Sequence, residues 1–158
     1  MSENRDFLVR FWGVRGSISI SDANSVRYGG NTSCLEIRCG EQLLIFDTGS
    51  GFRYLGNELL KSGGTIDADI FLSHTHYDHV CGIPFFKPFF NPENNFRLSA
   101  GHLLPETNIR DVLCDLMKTP LFPVSLDIFQ SKIEFHDFAI GDALTVGTDV
   151  VIRTAPLN

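Results

Sequence analysis

The stretch His74-Thr75-His76-Tyr77-Asp78-His79, at the end of the apolar run Ile66 to Ser73, constrains this chain more than any other feature. Three imidazoles and a carboxylate are packed there more densely than a core or an ordinary surface loop accommodates. Burying them without a cation would leave several polar groups unpaired, at roughly 1–3 kcal/mol each. The apolar run has strand length, so it reads as a buried β-strand that delivers a metal site at its C-terminal end.

The spacing inside the cluster divides the work. His74 and His76 are two apart, so on an extended segment both imidazoles point to one side and can chelate a single ion. Asp78 and His79 lie one turn onward and reach a second position. Zinc suits a His-rich, oxygen-supplemented set, with His nitrogens at roughly 2.0–2.1 Å, and manganese or iron are credible substitutes. Two cations roughly 3.5–4 Å apart can share a bridging hydroxide and polarise the oxygen of a phosphoryl or acyl substrate. Water bound to such a metal ionises nearer neutral pH. An acidic residue beside it can orient that nucleophile and relay its proton, and Asp78 is the candidate for this catalytic role. His102 and His136 stand alone and read as ordinary packed or solvated histidines.

Around this cluster the chain reads as layered α/β. Strands are expected over Phe7–Val14, Thr32–Cys39, Gln42–Asp47, Ile66–Ser73 and Phe96–Ala100, with two or three more between Lys132 and Ala155. Gly40-Glu41 makes a hairpin turn. Phe52, Leu55, Leu59 and Leu60 repeat at helical spacing until Gly63-Gly64, and a second helix opens at Pro105, with Ile109, Val112, Leu113, Leu116 and Met117 as its apolar stripe. Pro84 to Pro92 is irregular and aromatic. Strands and helices alternate, which fits sheets covered by helices.

At 158 residues the chain is expected to form one domain, and 43% apolar with 20% charged residues is an ordinary globular balance. The formal net charge of −6 argues against broad nucleic-acid binding, which needs a basic face. Met1 to Asp6 is polar and of mixed charge, and the apolar segment after it is broken by Arg10 and Arg15. No signal peptide or membrane-spanning run is therefore read, and a cytoplasmic protein is expected. Cys34, Cys39, Cys81 and Cys114 show no zinc-ribbon spacing and read as reduced, packing thiols. Cys34 and Cys39 are separated by an odd number, which puts them on opposite faces of a strand.

The pattern His74-x-His76-x-Asp78-His79 after an apolar strand resembles the signature of the metallo-β-lactamase-fold superfamily. Phe11-Trp12-Gly13-Val14-Arg15-Gly16-Ser17, Tyr28-Gly29-Gly30-Asn31-Thr32-Ser33-Cys34 and Phe46-Asp47-Thr48-Gly49-Ser50-Gly51 resemble its RNase Z-like phosphodiesterase branch. So do His79-Val80-Cys81-Gly82-Ile83-Pro84-Phe85-Phe86 and Phe122-Pro123-Val124. The resemblance implies an αβ/βα sandwich with two divalent metal ions at one edge, His74 and His76 binding the first and Asp78 and His79 the second. It implies that Asp47 sits below the site, bonded to the His loop as a support rather than a ligand. On the residues alone, Asp47 also reads, almost as well, as a turn aspartate capping Gly49. The Gly13–Ser17 and Gly29–Ser33 loops would frame the pocket.

The same resemblance implies three further ligands, the first after a segment similar to Thr154-Ala155-Pro156-Leu157-Asn158. Residues 1–158 are thus expected to be the N-terminal half of the sandwich plus the start of its second sheet, truncated at the C-terminus, with an incomplete ligand set. A half-sandwich would expose an apolar sheet face, which predicts instability, aggregation or a homo-oligomer. The expected activity is hydrolysis of a small or cyclic phosphodiester by a metal-bound hydroxide. Thioester, lactone or amide hydrolysis on the same frame is the competing enzymatic reading, and a silent half-domain acting by assembly is the non-enzymatic one.

Overall fold

The computed structural model describes residues 7–156; Met1–Asp6, Leu157 and Asn158 lie outside the described residues. Six strands form one sheet in simple sequence order: β1 (Phe7–Gly13), β2 (Cys34–Cys39), β3 (Gln42–Phe46), β4 (Asp67–Leu72), β5 (Asn95–Ala100) and β6 (Lys132–Asp137). β1, β2 and β3 run antiparallel, joined at β2–β3 by the Gly40-Glu41 turn, whereas β3 to β6 are parallel. Parallel neighbours need crossovers, and helices α1 (Gly51–Lys61), α2 (Tyr77–Val80) and α3 (Ile109–Leu116) fall in those connections. A separate antiparallel hairpin, β7 (Ala143–Val146) with β8 (Val150–Arg153), begins a second sheet.

Strand alternation sorts the side chains between two faces. Leu43 and Ile45 of β3, with Ala68, Ile70 and Leu72 of β4, join the main core beneath Phe52, Leu55 and Leu59 of α1 and Ile109 and Leu113 of α3. Leu44 and Phe71 point the other way, toward Val146 of the hairpin. Cys34 lies in the main core and Cys39 beside the second cluster, on opposite faces as their odd spacing requires. Burial pushes the Cys34 thiol well above its ordinary range, as befits a packing group. All four cysteines are free.

The irregular segment 83–90 supplies much of the core. Phe86 stacks on Phe52 with ring centroids 3.7 Å apart and meets Phe89 and Phe96 edge to face. Two short 3-10 turns there, Ile83–Phe85 and Lys87–Phe90, carry prolines near their starts. At the outer strand, Trp12 Nε1 donates to the buried Glu36 carboxylate (2.8 Å), which also accepts from Arg38 Nε (2.9 Å), tying β1 to β2.

Strand ends differ from the sequence expectation by one or two residues, and one helix boundary differs by more. The second long helix starts at Ile109 rather than Pro105, because Asn108 caps it by accepting from the Asp111 N–H at 2.9 Å. Asp137 at the end of β6 accepts from the Ile109 N–H at 3.0 Å, a second partner for that first turn. Among the described residues no helix is long and apolar enough to cross a membrane.

Candidate metal centre

β4 ends at Leu72, and residues 73–76 leave the sheet through a bend at Ser73, with His76 extended, before α2 begins at Tyr77. Ligands and catalytic groups in parallel α/β sheets gather beyond the carboxyl ends of the strands, where this segment lies. His74 Nε2 stands 3.1 Å from His76 Nδ1, and the rings of His74 and His79 are 4.0 Å apart. His79 Nε2 stands 3.4 Å from Asp78 Oδ2. The structure therefore brings His74, His76, Asp78 and His79 together in one patch.

Three separate segments hold this patch. Asp47 follows β3 with a left-handed backbone (φ +60°), and its nearly buried carboxylate accepts from the Ser73 N–H (2.9 Å), the Ser73 hydroxyl (2.8 Å) and the Ser33 hydroxyl (2.9 Å), with His79 Nδ1 2.8 Å away. Thr48 N–H and Oγ1 both donate to the His79 carbonyl at 2.8 Å, and the Gly82 N–H returns to the Thr48 carbonyl at 2.9 Å. No side chain fits at that seam. A Cβ on Gly49 would stand 2.2 Å from the Asp78 carbonyl oxygen, and one on Gly82 would stand 2.1 Å from that of Gly49.

The third segment is the loop after β1. Ser17, also left-handed at φ +67°, donates its backbone N–H to Asp78 Oδ2 at 2.7 Å. Ser17 and Asp47 are the two non-glycine residues with positive φ among those described, and both bond the His loop. Such backbone strain, costing about 1–3 kcal/mol per residue, persists where the surroundings over-determine it. Burial alone would raise the Asp78 carboxyl, but the Ser17 N–H and the neighbouring imidazoles outweigh it and bring the group below its ordinary value. Burial, reinforced by the adjacent His79 and His76, lowers His74 and keeps it neutral.

These donors fit divalent cations in pairs. At zinc–nitrogen bonds of roughly 2.0–2.1 Å, two tetrahedral ligands are about 3.3–3.4 Å apart. The 3.1 Å between His74 Nε2 and His76 Nδ1 and the 3.4 Å between His79 Nε2 and Asp78 Oδ2 lie close to that edge. Among the described residues no group of three or more His, Cys, Asp or Glu side chains is arranged to hold an ion. The donors thus stand as two partial sets.

His102 was expected to be an ordinary histidine, yet it borders the site. Parallel pairing matches Leu72 with Ala100, so the residues after β4 and β5 emerge side by side, and His102 Nε2 reaches Thr75 Oγ1 at 3.1 Å. The signal for this was topological rather than local. His136 lies within β6, half-exposed, with Glu134 at 3.6 Å, and stays apart from the cluster. An open cleft of about 580 Å³ runs from Ser73, His74 and His102 to Phe138 and Ile152.

Residues 27–93 match the model of the metallo-beta-lactamase superfamily. A ribonuclease Z of Haloarcula marismortui is 27% identical over 144 residues, covering 85% of this chain and 43% of that protein. A diphosphatase from the PhnP family has a similar fold (TM-score 0.54, 18% identity), over 87% of this chain and 52% of its own. The metallo-beta-lactamase fold protein YhfI from Bacillus subtilis gives a TM-score of 0.52 at 16% identity, over 88% and 49%. The chain spans about half the length of these relatives. With the mixed sheet, its helical face and a second, two-stranded sheet, these likenesses show a metallo-beta-lactamase-type fold in a chain that is similar to a ribonuclease Z.

Proposed function

We propose that the His74–His79 loop is the metal-binding part of a hydrolase acting on phosphodiester bonds. The observation that carries this reading is the convergence of His74 Nε2 and His76 Nδ1 at 3.1 Å, beside Asp78 and His79 and at the edge of an open cleft. The relatives named as a ribonuclease Z and a diphosphatase support a phosphate-containing substrate. The net charge of −6 favours a small or cyclic phosphodiester over RNA.

His74 and His76 would hold one divalent ion, and Asp78 and His79 a second, with zinc the proposed metal. Such ions lower the pKa of bound water and polarise a phosphoryl oxygen. The chain's own residues prepare that chemistry. Asp47 lies 2.8 Å from His79 Nδ1, where a hydrogen on that nitrogen would leave the His79 Nε2 lone pair free. Ser17 fixes the Asp78 carboxylate. Asp78 is assigned two tasks, holding the cation and accepting a hydrogen bond from the attacking water. Asp78 is ionised at neutral pH, as both tasks require, and the Ser17 N–H with the neighbouring imidazoles holds it below its ordinary value.

The test offers the purified protein, supplied with zinc or manganese, a chromogenic phosphodiester, a thioester and a lactone. Hydrolysis of the phosphodiester alone is expected. Asp78→Ala should lower that rate by roughly 10²–10⁴-fold, and His76→Ala should reduce both rate and bound metal. Turnover of the thioester or lactone without the phosphodiester would overturn the reading. So would unchanged metal content in both variants.

A further inference from the structure

Ser73 precedes the cluster and belongs to none of its expected ligands, yet its hydroxyl lies between the carboxylate and the imidazoles. Ser73 Oγ is 2.8 Å and 3.0 Å from the two oxygens of Asp47, 3.1 Å from His74 Nδ1 and 3.4 Å from His79 Nδ1. A serine hydroxyl has one proton to give and lone pairs with which to accept. A carboxylate accepts only, so the Ser73 proton goes to Asp47. Toward His74 the hydroxyl can then only accept, and His74 Nδ1 must carry the hydrogen. His79 differs, since its Nδ1 reaches Asp47 Oδ2 directly at 2.8 Å.

We propose that Ser73 is a positioning residue that relays the Asp47 carboxylate to His74, fixing its Nδ1–H form and leaving the Nε2 lone pair beside His76. One carboxylate thereby orients imidazoles from both proposed ion sites, His79 directly and His74 through a hydroxyl. The inference rests on the metal reading above for its consequence, but the hydrogen-bond relay itself needs no ion. It also separates the hydroxyl from the fold. The Ser73 backbone N–H donates to Asp47 Oδ1 at 2.9 Å, a bond that alanine at this position retains.

The experiment compares the unmodified protein with Ser73→Ala and Ser73→Thr in two measurements. Long-range nitrogen NMR of the metal-free protein reads which His74 nitrogen carries hydrogen. Calorimetric zinc titration reads affinity. The unmodified protein and Ser73→Thr should show the Nδ1–H form, whereas Ser73→Ala should shift His74 toward Nε2–H. Loss of a partner that orients a ligand histidine lowers metal affinity by roughly 10–100-fold, so Ser73→Ala should weaken zinc binding by that factor, and threonine should restore it. A His74 tautomer unchanged in Ser73→Ala overturns the relay. Equal zinc affinity in all three proteins overturns its effect on the ion. Neither measurement involves substrate, so a protein that hydrolyses no phosphodiester can still uphold or refute the relay.

Discussion

The six-stranded sheet has one face closed and the other half open. On the closed face Ile45, Ile70 and Leu98 are buried beneath α1, α3 and the phenylalanines of 86–96. On the other, Leu44 and Phe71 are covered by Val146 of the hairpin, while Phe7 and Phe11 of β1 remain 68% exposed. The His loop is anchored in the first face, because Val80 and Ile83, directly after His79, are members of that core. The second face supplies Phe46 and Phe71 to the wall of the cleft, together with Ile152 of the hairpin that packs on it. Fold and candidate site therefore share one packed layer, and the cleft opens over the less finished one.

The largest test of this difference is Phe86→Ala. Phe86 is fully buried and meets three other rings, and truncating such a phenylalanine typically costs about 3–5 kcal/mol. That is a large part of the roughly 5–15 kcal/mol that holds a domain together. Urea unfolding should show the loss, and metal binding should fall with it because α2 runs into this core. A change below about 1 kcal/mol would mean that the closed face is not what stabilises the chain.

Much of the closed face was legible in the sequence because it depends on short-range pattern. The continuous apolar run Leu43–Phe46 and the spacing of Phe52, Leu55 and Leu59 report burial directly, and β3 and α1 lie where those patterns put them. Pattern alone misplaces the start of α3, because Pro105 is a permitted first helical residue while the Asn108 cap three residues on sets the boundary. Alternation in β7 and β8 foretells strands but not that, among the described residues, they pair with each other rather than with the six-stranded sheet. The metal motif was legible as residue types. Asp47 as a support and the Gly13–Ser17 loop at the pocket follow from the family resemblance, but the individual contacts are not legible in the residues, since the approach of Ser17 to Asp78 spans 61 positions and that of His102 to Thr75 depends on two strands ending at one edge. Ser73 sat beside the motif unread, because a single hydroxyl carries no periodicity.

Val146→Ala measures the cover on the second face. Val146 is the buried residue of the hairpin, packed with Leu44 and Phe71. Removing two methylene equivalents at ~0.8 kcal/mol each should cost about 1.5 kcal/mol, well short of Phe86→Ala. Amide exchange should accelerate in β7 and β8 and stay unchanged in β4 and β5. A loss equal to that of Phe86→Ala, with faster exchange throughout the sheet, would make the hairpin as integral as the helices.

The smallest expected effect on stability is at the open end of that face. Phe11 pairs with Leu35 across β1 and β2 but stays largely in solvent, so Phe11→Ser removes little packing and should change stability by less than about 0.5 kcal/mol. Its effect should appear instead in the properties of an exposed apolar patch: weaker binding of a hydrophobic dye and less light scattering at high concentration. A loss above about 1.5 kcal/mol, growing with protein concentration in the unmodified chain, would reverse the picture. It would show that in solution another copy covers Phe7, Val9 and Phe11, and that the half-open face is a contact surface rather than an unfinished layer.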